Sequence, residues 1–414
     1  MRLLHLTPEL PAWPGGTGGA TRQFHLLRRL VELGHEVTVV APVPDGDDGA
    51  RDALALAGVR LVESRRPASR LAESARALLR DPRLPAAAVT RPVLAWQVGV
   101  FWAAMRPLAI EAIESERPDM VMIEHDNAAA WVGDLPADLQ TVLVLHNAGP
   151  EYYRSRAAAS SGPARAAFGL ESRRFRRHHA RWLGRYSLLI AVSEADARSV
   201  SPHGRPPVEV VPNGVASEEL LPAPPSSEPE TLLFTGTLSH PPNSEGIRWF
   251  AEHAWPRVLA QRPGARLLVV GRGPPREVAA LGRRDGIEVV GPVPDIAPWL
   301  ARATAVLAPL LSGGGTRLKI LEAFAARRAV VSTRVGCEGL EVEDGRHLLV
   351  RDGAGPFAEA VLELLADRGL RERLADQGRE TAETAYDWNV LGDRLGAALE
   401  LTRSAGAGPG RSAR

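Results

Sequence analysis

SGGGTRLKILEAFAARRAVVSTRVGCEGL occupies residues 312–340. A β-branched run, Thr304 to Ala308, precedes it and ends at three glycines, Gly313, Gly314 and Gly315. An apolar helical pattern then opens at Thr316, and a second β-branched run follows at Ala329 to Thr333. Strand, glycine turn, helix and strand in that order make a βαβ unit, whose two strands lie parallel. Free amides, the Thr316 hydroxyl, Arg317 and Lys319 then converge on one helix start, where the dipole favours negative charge. Glu322 lies one turn beyond Lys319. As a surface residue it would be an ion-pair partner for the lysine, but ILEAFA places it among apolar residues, where an unpaired carboxylate is costly unless it binds something.

Working outward, the same alternation of short apolar runs and longer helical patterns fills the chain. Before residue 220 the strand candidates are Leu3 to Thr7, Glu36 to Ala41, Val59 to Val62, Met120 to Glu124, Thr141 to Leu145, Ser187 to Val192 and Val208 to Val211. After residue 230 they are Thr231 to Thr235, Arg266 to Val270, Ile287 to Val290, Thr304 to Ala308, Ala329 to Thr333 and His347 to Val350. The fold class is therefore α/β, with two doubly wound parallel sheets in succession. The first domain is expected over 1–219, a stiff linker (LLPAPPSSEPE) over 220–230 and the second domain over 231–385. A last helix is expected over 386–403, followed by a disordered tail over 404–414. Residues 64–115, rich in arginine and alanine and carrying Trp96 and Trp102, exceed what a minimal nucleotide-binding sheet needs.

At 414 residues, with a formal net charge of +1 and 24% charged residues, the chain is an ordinary globular protein without the positive field of a general nucleic-acid binder. Its single cysteine, Cys337, allows no internal disulfide. MRLLHLTPEL reads as a strand rather than a signal peptide, and no run of 18 uncharged apolar residues occurs, so a cytoplasmic enzyme is expected. Of the 50 basic residues only Lys319 is lysine. A chain that otherwise uses arginine has kept a compact ammonium at the glycine-loop helix.

Ligands of open parallel sheets bind beyond the carboxyl ends of the strands. After the first strand comes PELPAWPGGTGGATRQF, in which Gly15, Gly16, Gly18 and Gly19 precede a helix opening near Ala20. Such a loop suits a phosphate; it also suits a plain flexible turn. No third glycine completes a dinucleotide fingerprint, and the second strand ends VTVVAP, without the acidic residue that holds a ribose. His125 in IEHDN and His146 in VLHNAGPEYY stand at strand ends, where an imidazole either meets a sugar oxygen or simply bonds a neighbouring carbonyl. Neither has a cysteine or histidine at metal-ligand spacing, so no metal is expected.

Taken with PGGTGG, HNAGPEYY, IAVSEAD, VVPNGV, FTGTLSHPPN, LLVVGRG and VGPVPD in that order, the GGGTRLKILEA stretch resembles the GT-B glycosyltransferases of family 4, the mostly retaining group 1 transferases. The resemblance implies two Rossmann-like domains facing across a cleft, the first binding the acceptor and the second the nucleotide sugar. It also implies that the last helix returns to the first domain. No cofactor or metal is implied beyond the nucleoside diphosphate sugar. By the resemblance, Arg317 and Lys319 hold the donor diphosphate with the amides of Gly313, Gly314, Gly315 and Thr316. Glu322 accepts from the nucleotide ribose, the backbone at Val293 faces the base, Gly16 approaches the phosphates, Gly15 and Gly236 line the donor, and His146 reaches the donor sugar. One departure stands out. In the commoner branch a glutamate lies eight residues before the ribose glutamate; here that position is Gly314. The basic pair which that branch places after the first strand of its second domain is also absent, the loop reading Thr237, Leu238, Ser239, His240.

A nucleotide-sugar epimerase or hydrolase on the same fold, and a non-catalytic sugar-nucleotide-binding subunit, are the competing readings. The base, the sugar and the acceptor are not named by the sequence. Residues 151–185 carry nine arginines against Glu151 and Glu171, a net +7 in a nearly neutral chain. That run is either a solvated helix face or, over 165–185, a peripheral contact with the anionic inner face of a membrane; Phe168, Leu170, Phe175 and Trp182 are interleaved as an interfacial helix requires, although the same residues could pack against the sheet.

Overall fold

The computed structural model describes all residues except 15, 45, 66–91, 147, 159, 202–205, 221–227, 229, 314–316 and 407–414. Gly15, Gly314, Gly315 and Thr316, most of the 220–230 linker and most of the tail therefore lie outside the described residues, as does the side chain of Trp96.

Among the described residues thirteen strands form two sheets. In the first, β1 (Arg2–Leu6), β2 (Glu36–Val43), β3 (Arg60–Arg65), β4 (Met120–Glu124), β5 (Thr141–Val144), β6 (Leu188–Ala191) and β7 (Val208–Val210) run in the order β3-β2-β1-β4-β5-β6-β7. In the second, β8 (Thr231–Thr235), β9 (Arg266–Val270), β10 (Ile287–Gly291), β11 (Ala305–Ala308), β12 (Ala329–Ser332) and β13 (Leu349–Val350) run β10-β9-β8-β11-β12-β13. Every pairing between these strands is parallel. Helices cover both faces, which explains why the strands are almost unbroken apolar runs: all five residues of β4 and of β8 are buried.

Both sheets reverse direction beside their first strand. In the first sheet β1 lies between β2 and β4, with His5 opposite Met122 and Leu6 opposite Ile123. In the second, β8 lies between β9 and β11, with Val306 opposite Leu233. At such switch points the loops leave in opposite directions and open a crevice at the strand ends. Each switch point has a polar cluster at its mouth.

The chain divides into two compact units, Met1–Pro212 with Leu391–Arg414, and Asn213–Val390. The helix Trp388–Gly406 enters the first unit from Leu391 onward. Arg29 donates to Asp393 at 2.8 Å, Arg394 donates to Glu209 at 2.6 Å, and a Cβ on Gly392 would collide with the Arg29 stem at 2.4 Å. In the second unit, the apolar faces of the helices around 247–258 and 357–374 enclose one side of the sheet around Phe234, Phe250 and Trp255. Ile320, Leu321 and Phe324 of the helix Leu318–Ala325 fill the other side.

Candidate functional site

In the second unit the glycine-loop helix spans Leu318–Ala325, starting two residues after the Thr316 expected from sequence, with Arg317 in extended conformation at its N-cap. The helix presents an apolar face to the sheet and keeps its two cations at its start. Arg317 and Lys319 are both buried, each 8% exposed. Lys319 Nζ lies 3.9 Å from the centroid of the Phe234 ring at the end of β8 and donates to Asn243 Oδ1 at 2.8 Å. Asn243 belongs to the helix Pro241–Trp249, which follows the β8 loop, and its Nδ2 donates back to the Thr237 carbonyl at 2.9 Å.

Gly236 joins strand to loop at φ +146, in the region that favours glycine, and a Cβ there would stand 2.9 Å from Asn243 Nδ2 and 3.2 Å from Lys319 Nζ. A Cβ on Gly313 would lie 3.3 Å from the Arg317 guanidinium and 3.1 Å from Pro242. Loops from β8 and β11, the two strands of the switch point, thus bring Gly236, Asn243, Gly313, Arg317 and Lys319 together.

Burial dominates the electrostatics here. It draws the Lys319 ammonium down to about 7, with help from Arg317 and against Glu322. It also lowers Arg317, against Glu338 and Cys337. Burial raises the carboxyl of Glu322, against the attraction of Lys319. Glu322 is half-buried, as ILEAFA implied, yet Lys319 gives its hydrogen bond to a neutral amide. Two cations side by side in an apolar setting are an unstable arrangement that an anionic ligand would relieve. Val293 is half-buried and packs against the core around Leu300 and Phe324.

In the first unit the helix Gly18–Glu32 is capped by Thr17, whose hydroxyl accepts from the Ala20 amide at 3.1 Å and donates to Glu9 Oε1 at 2.5 Å. Gly16 packs tightly, a Cβ there falling 2.5 Å from the Ala12 carbonyl oxygen. A Cβ on Gly19 would stand 3.1 Å from the Glu9 carboxylate and 3.3 Å from the His146 ring. His146 Nε2 makes a short hydrogen bond with Glu124 at the end of β4, a carboxyl only 2% exposed. His125 stacks on His146 at 4.0 Å between centroids, and its Nε2 lies 3.9 Å from Glu9. Beneath them His5 Nε2 meets Gln23 at 3.2 Å and stands 3.7 Å from Glu124. Arg22 donates to the Val211 carbonyl at 2.7 Å and the Pro212 carbonyl at 2.5 Å.

Burial raises the Glu124 carboxyl, opposed by His5, His125 and Arg22. It lowers His146 to about 3, with Arg22 assisting, and His125 to about 4, with His146 assisting. Both imidazoles are therefore neutral at pH 7. The charge state of Glu124 decides which tautomer His146 holds: an ionised carboxylate requires a donating Nε2–H and leaves Nδ1 as an acceptor.

The helix Gly162–Trp182 carries six of the nine arginines of the run, and the structure shows where its interleaved apolar residues lie. Phe175 is fully buried and stacks on Tyr153 at 5.5 Å, while Phe168 and Trp182 are half-buried and lie under arginines. Leu170 is 46% exposed, so of the four interleaved apolar residues Phe175 belongs to the interior while the other three keep part of their surface open. Arg165, Arg173, Arg176 and Arg177 are exposed.

Several residues of these clusters are not singled out by the sequence, among them Glu9, Glu124 and Asn243. Glu124 had a signal, a carboxylate closing the apolar strand MVMIE; Asn243 had only its place at the start of a helix after a strand-end glycine.

Known proteins bear on both units. The family model described as "Glycosyltransferase Family 4" matches residues 16–219, and the one described as "Glycosyl transferases group 1" matches residues 229–367. Phosphatidyl-myo-inositol mannosyltransferase of Mycolicibacterium smegmatis is 28% identical over 305 residues, 68% of this chain and 76% of that one. Among solved structures, sucrose-phosphate synthase from Thermosynechococcus elongatus superposes with a TM-score of 0.68 at 18% identity, covering 98% of this chain and 100% of its own. Anabaena HepE in complex with UDP gives 0.66 at 15% identity, covering 97% and 100%.

Proposed function

We infer what this enzyme transfers from the family it belongs to: the chain is a member of glycosyltransferase family 4, its fold is the GT-B fold of two Rossmann-like domains, and its activity is sugar transfer. The donor in this proposal is a nucleoside diphosphate sugar, and the reaction retains the anomeric configuration. The observation that carries the donor class is the pair of buried cations, Arg317 and Lys319, at the switch point of the second sheet. In support, HepE, which shares the fold, has been solved with UDP.

In the proposed reaction the bond from the anomeric carbon to the β-phosphate oxygen breaks while the acceptor oxygen bonds to the same face of that carbon. The acceptor proton passes to the departing phosphate oxygen. Arg317 and Lys319 stabilise the leaving charge, so no metal is required. Glu322 accepts from the ribose, the Val293 backbone meets the base, Gly236 gives the diphosphate close access, and His146 contacts the donor sugar. Gly15 and Gly16 stay on the donor side of the proposal. Glu9 already supplies negative charge at that helix start, which favours contact with sugar hydroxyls over phosphate there.

Calorimetric titration with UDP and with GDP in EDTA tests the donor class. Binding of either in the micromolar range, abolished in Arg317→Ala/Lys319→Ala, is the expected result; no binding of either would remove the assignment. The anomer formed, read by NMR, tests retention.

For the acceptor, the name of the M. smegmatis relative specifies a phosphatidylinositol. A lipid-linked acceptor at an anionic membrane fits the exposed face of Arg165, Arg173, Arg176 and Arg177, each such arginine contributing on the order of 1 kcal/mol near the surface. With Phe175 turned inward, this contact is electrostatic. Co-sedimentation with anionic vesicles that falls with salt supports it, and equal recovery with neutral and anionic vesicles refutes it.

A further inference from the structure

We propose that Asn243 is the positioning residue of the donor-phosphate site, holding the Lys319 ammonium at one point beside Gly236 without neutralising it. This rests on the reading of Lys319 as a diphosphate ligand. An ammonium has three protons and no acceptor, so it requires the carbonyl end of the amide; the Thr237 carbonyl requires the NH2 end. Turning the amide over would set donor against donor at Lys319 and acceptor against acceptor at Thr237, so one orientation is fixed from both sides.

The remaining sides of the ammonium are the Phe234 ring, 3.9 Å away, and the space beside Gly236, where a Cβ would lie 3.2 Å from Nζ. A flexible four-carbon stem is thereby ordered before any ligand arrives, which spares the ligand that loss of freedom on binding.

The neutrality of the amide is the second half of the argument. A carboxylate at this place would hold the ammonium as well, but it would occupy the charge that a phosphate is to meet. The charged groups bearing on Nζ are Arg317 from the helix N-cap and Glu322 one turn along, and Asn243 adds no charge to that balance. Lys319 is the chain's only lysine, which gives a direct probe.

Incorporation of lysine labelled with carbon-13 at the ε position produces one lysine signal, whose pH titration reports Lys319 without reference to activity. Asn243→Asp and the near-isosteric Asn243→Leu are compared with the native chain, with circular dichroism confirming the fold of each. In Asn243→Asp the midpoint is expected to rise by at least one pH unit while UDP and GDP bind at least tenfold more weakly. In Asn243→Leu the signal is expected to broaden or split as the stem loses its anchor, with weaker nucleotide binding again. Unchanged titration and unchanged nucleotide affinity in both variants overturn the proposal. If the variants shift the Lys319 signal but neither UDP nor GDP perturbs it in the native chain, the diphosphate reading of the site is what fails, and the positioning role for a donor falls with it.

Discussion

Nucleotide binding should lose strength as pH rises through neutrality, and Lys319 is the reason. Its ammonium is drawn from 10.5 to about 7, burial being the largest cause and Arg317 the next. Only the charged form attracts a diphosphate. With a midpoint near 7, roughly nine-tenths of the empty sites are charged at pH 6 and roughly one-tenth at pH 8, a tenfold change worth about 1.4 kcal/mol. The dissociation constant of UDP or GDP should therefore rise about tenfold over that interval, with a proton taken up on binding above pH 7. Protonation of the terminal phosphate, near pH 6, weakens binding from the acid side, so the window from 6.5 to 8.5 isolates the lysine. Lys319→Arg is the control: a guanidinium stays charged throughout, and its binding, weakened by the larger fork, should be flat with pH. Calorimetry in two buffers of different ionisation enthalpy measures both affinity and proton uptake. Parallel pH dependences for the native chain and Lys319→Arg, with no proton uptake in either, refute the reasoning.

Stability carries the opposite sign. The unfolded chain holds its lysine proton up to 10.5 and the folded chain releases it near 7, so folding stability rises with pH between those values and carries the full penalty below 7. Replacing the cation with an apolar chain of similar shape, Lys319→Met, should then raise the melting temperature at pH 6 while abolishing turnover. A lower melting temperature in that variant would mean that the ammonium is better compensated than its surroundings indicate.

Three further outcomes are expected. Glu322→Gln should weaken UDP or GDP binding about tenfold, the loss of a hydrogen bond to a charged group, with the fold intact by circular dichroism; unchanged affinity by calorimetry assigns Glu322 to structure. Glu124→Gln should lower kcat at least tenfold while UDP or GDP affinity changes less than twofold, because it releases the His146 tautomer and leaves the second unit alone; unaltered turnover of donor would show that His146 needs no fixed tautomer. Transfer should survive EDTA, since Arg317 and Lys319 supply the charge a metal would; complete loss restored by magnesium would contradict this.

How much of this could be read in advance depends on the range of the interaction concerned. The thirteen strands are legible because a strand covered on both faces tends to be a short apolar run whatever its neighbours, and their ends fall within three residues of expectation, β3 running furthest past it, to Arg65. The crevice positions follow from the strand ends, which is why His146, Arg317 and Lys319 could be singled out. The glycine-loop helix begins at Leu318, two residues after Thr316 where the helical pattern opens, because Arg317 takes the N-cap in extended conformation. For the helix Gly162–Trp182, composition could not say which way Phe175 and Trp182 point; only the partners Tyr153, Arg181 and Arg185 decide it.

Glu124 and Asn243 belong to another class of residue. Each acts through a contact to a residue 22 and 76 positions away respectively, and neither partner implies the other in sequence. What links the two is a shared arrangement: a nitrogen-bearing side chain beyond the strand ends of a switch point, His146 after β5 and Lys319 in the helix after β11, held by a polar group from a neighbouring strand or from the helix that follows one. Glu124 holds the imidazole with a group that can carry charge, which couples His146 to protonation. Asn243 holds the ammonium with a group that cannot, which leaves the charge of Lys319 to the ligand. In the proposed mechanism the switch point of one unit would thus serve a tautomer and that of the other an electrostatic field, and the difference lies in a carboxyl against an amide.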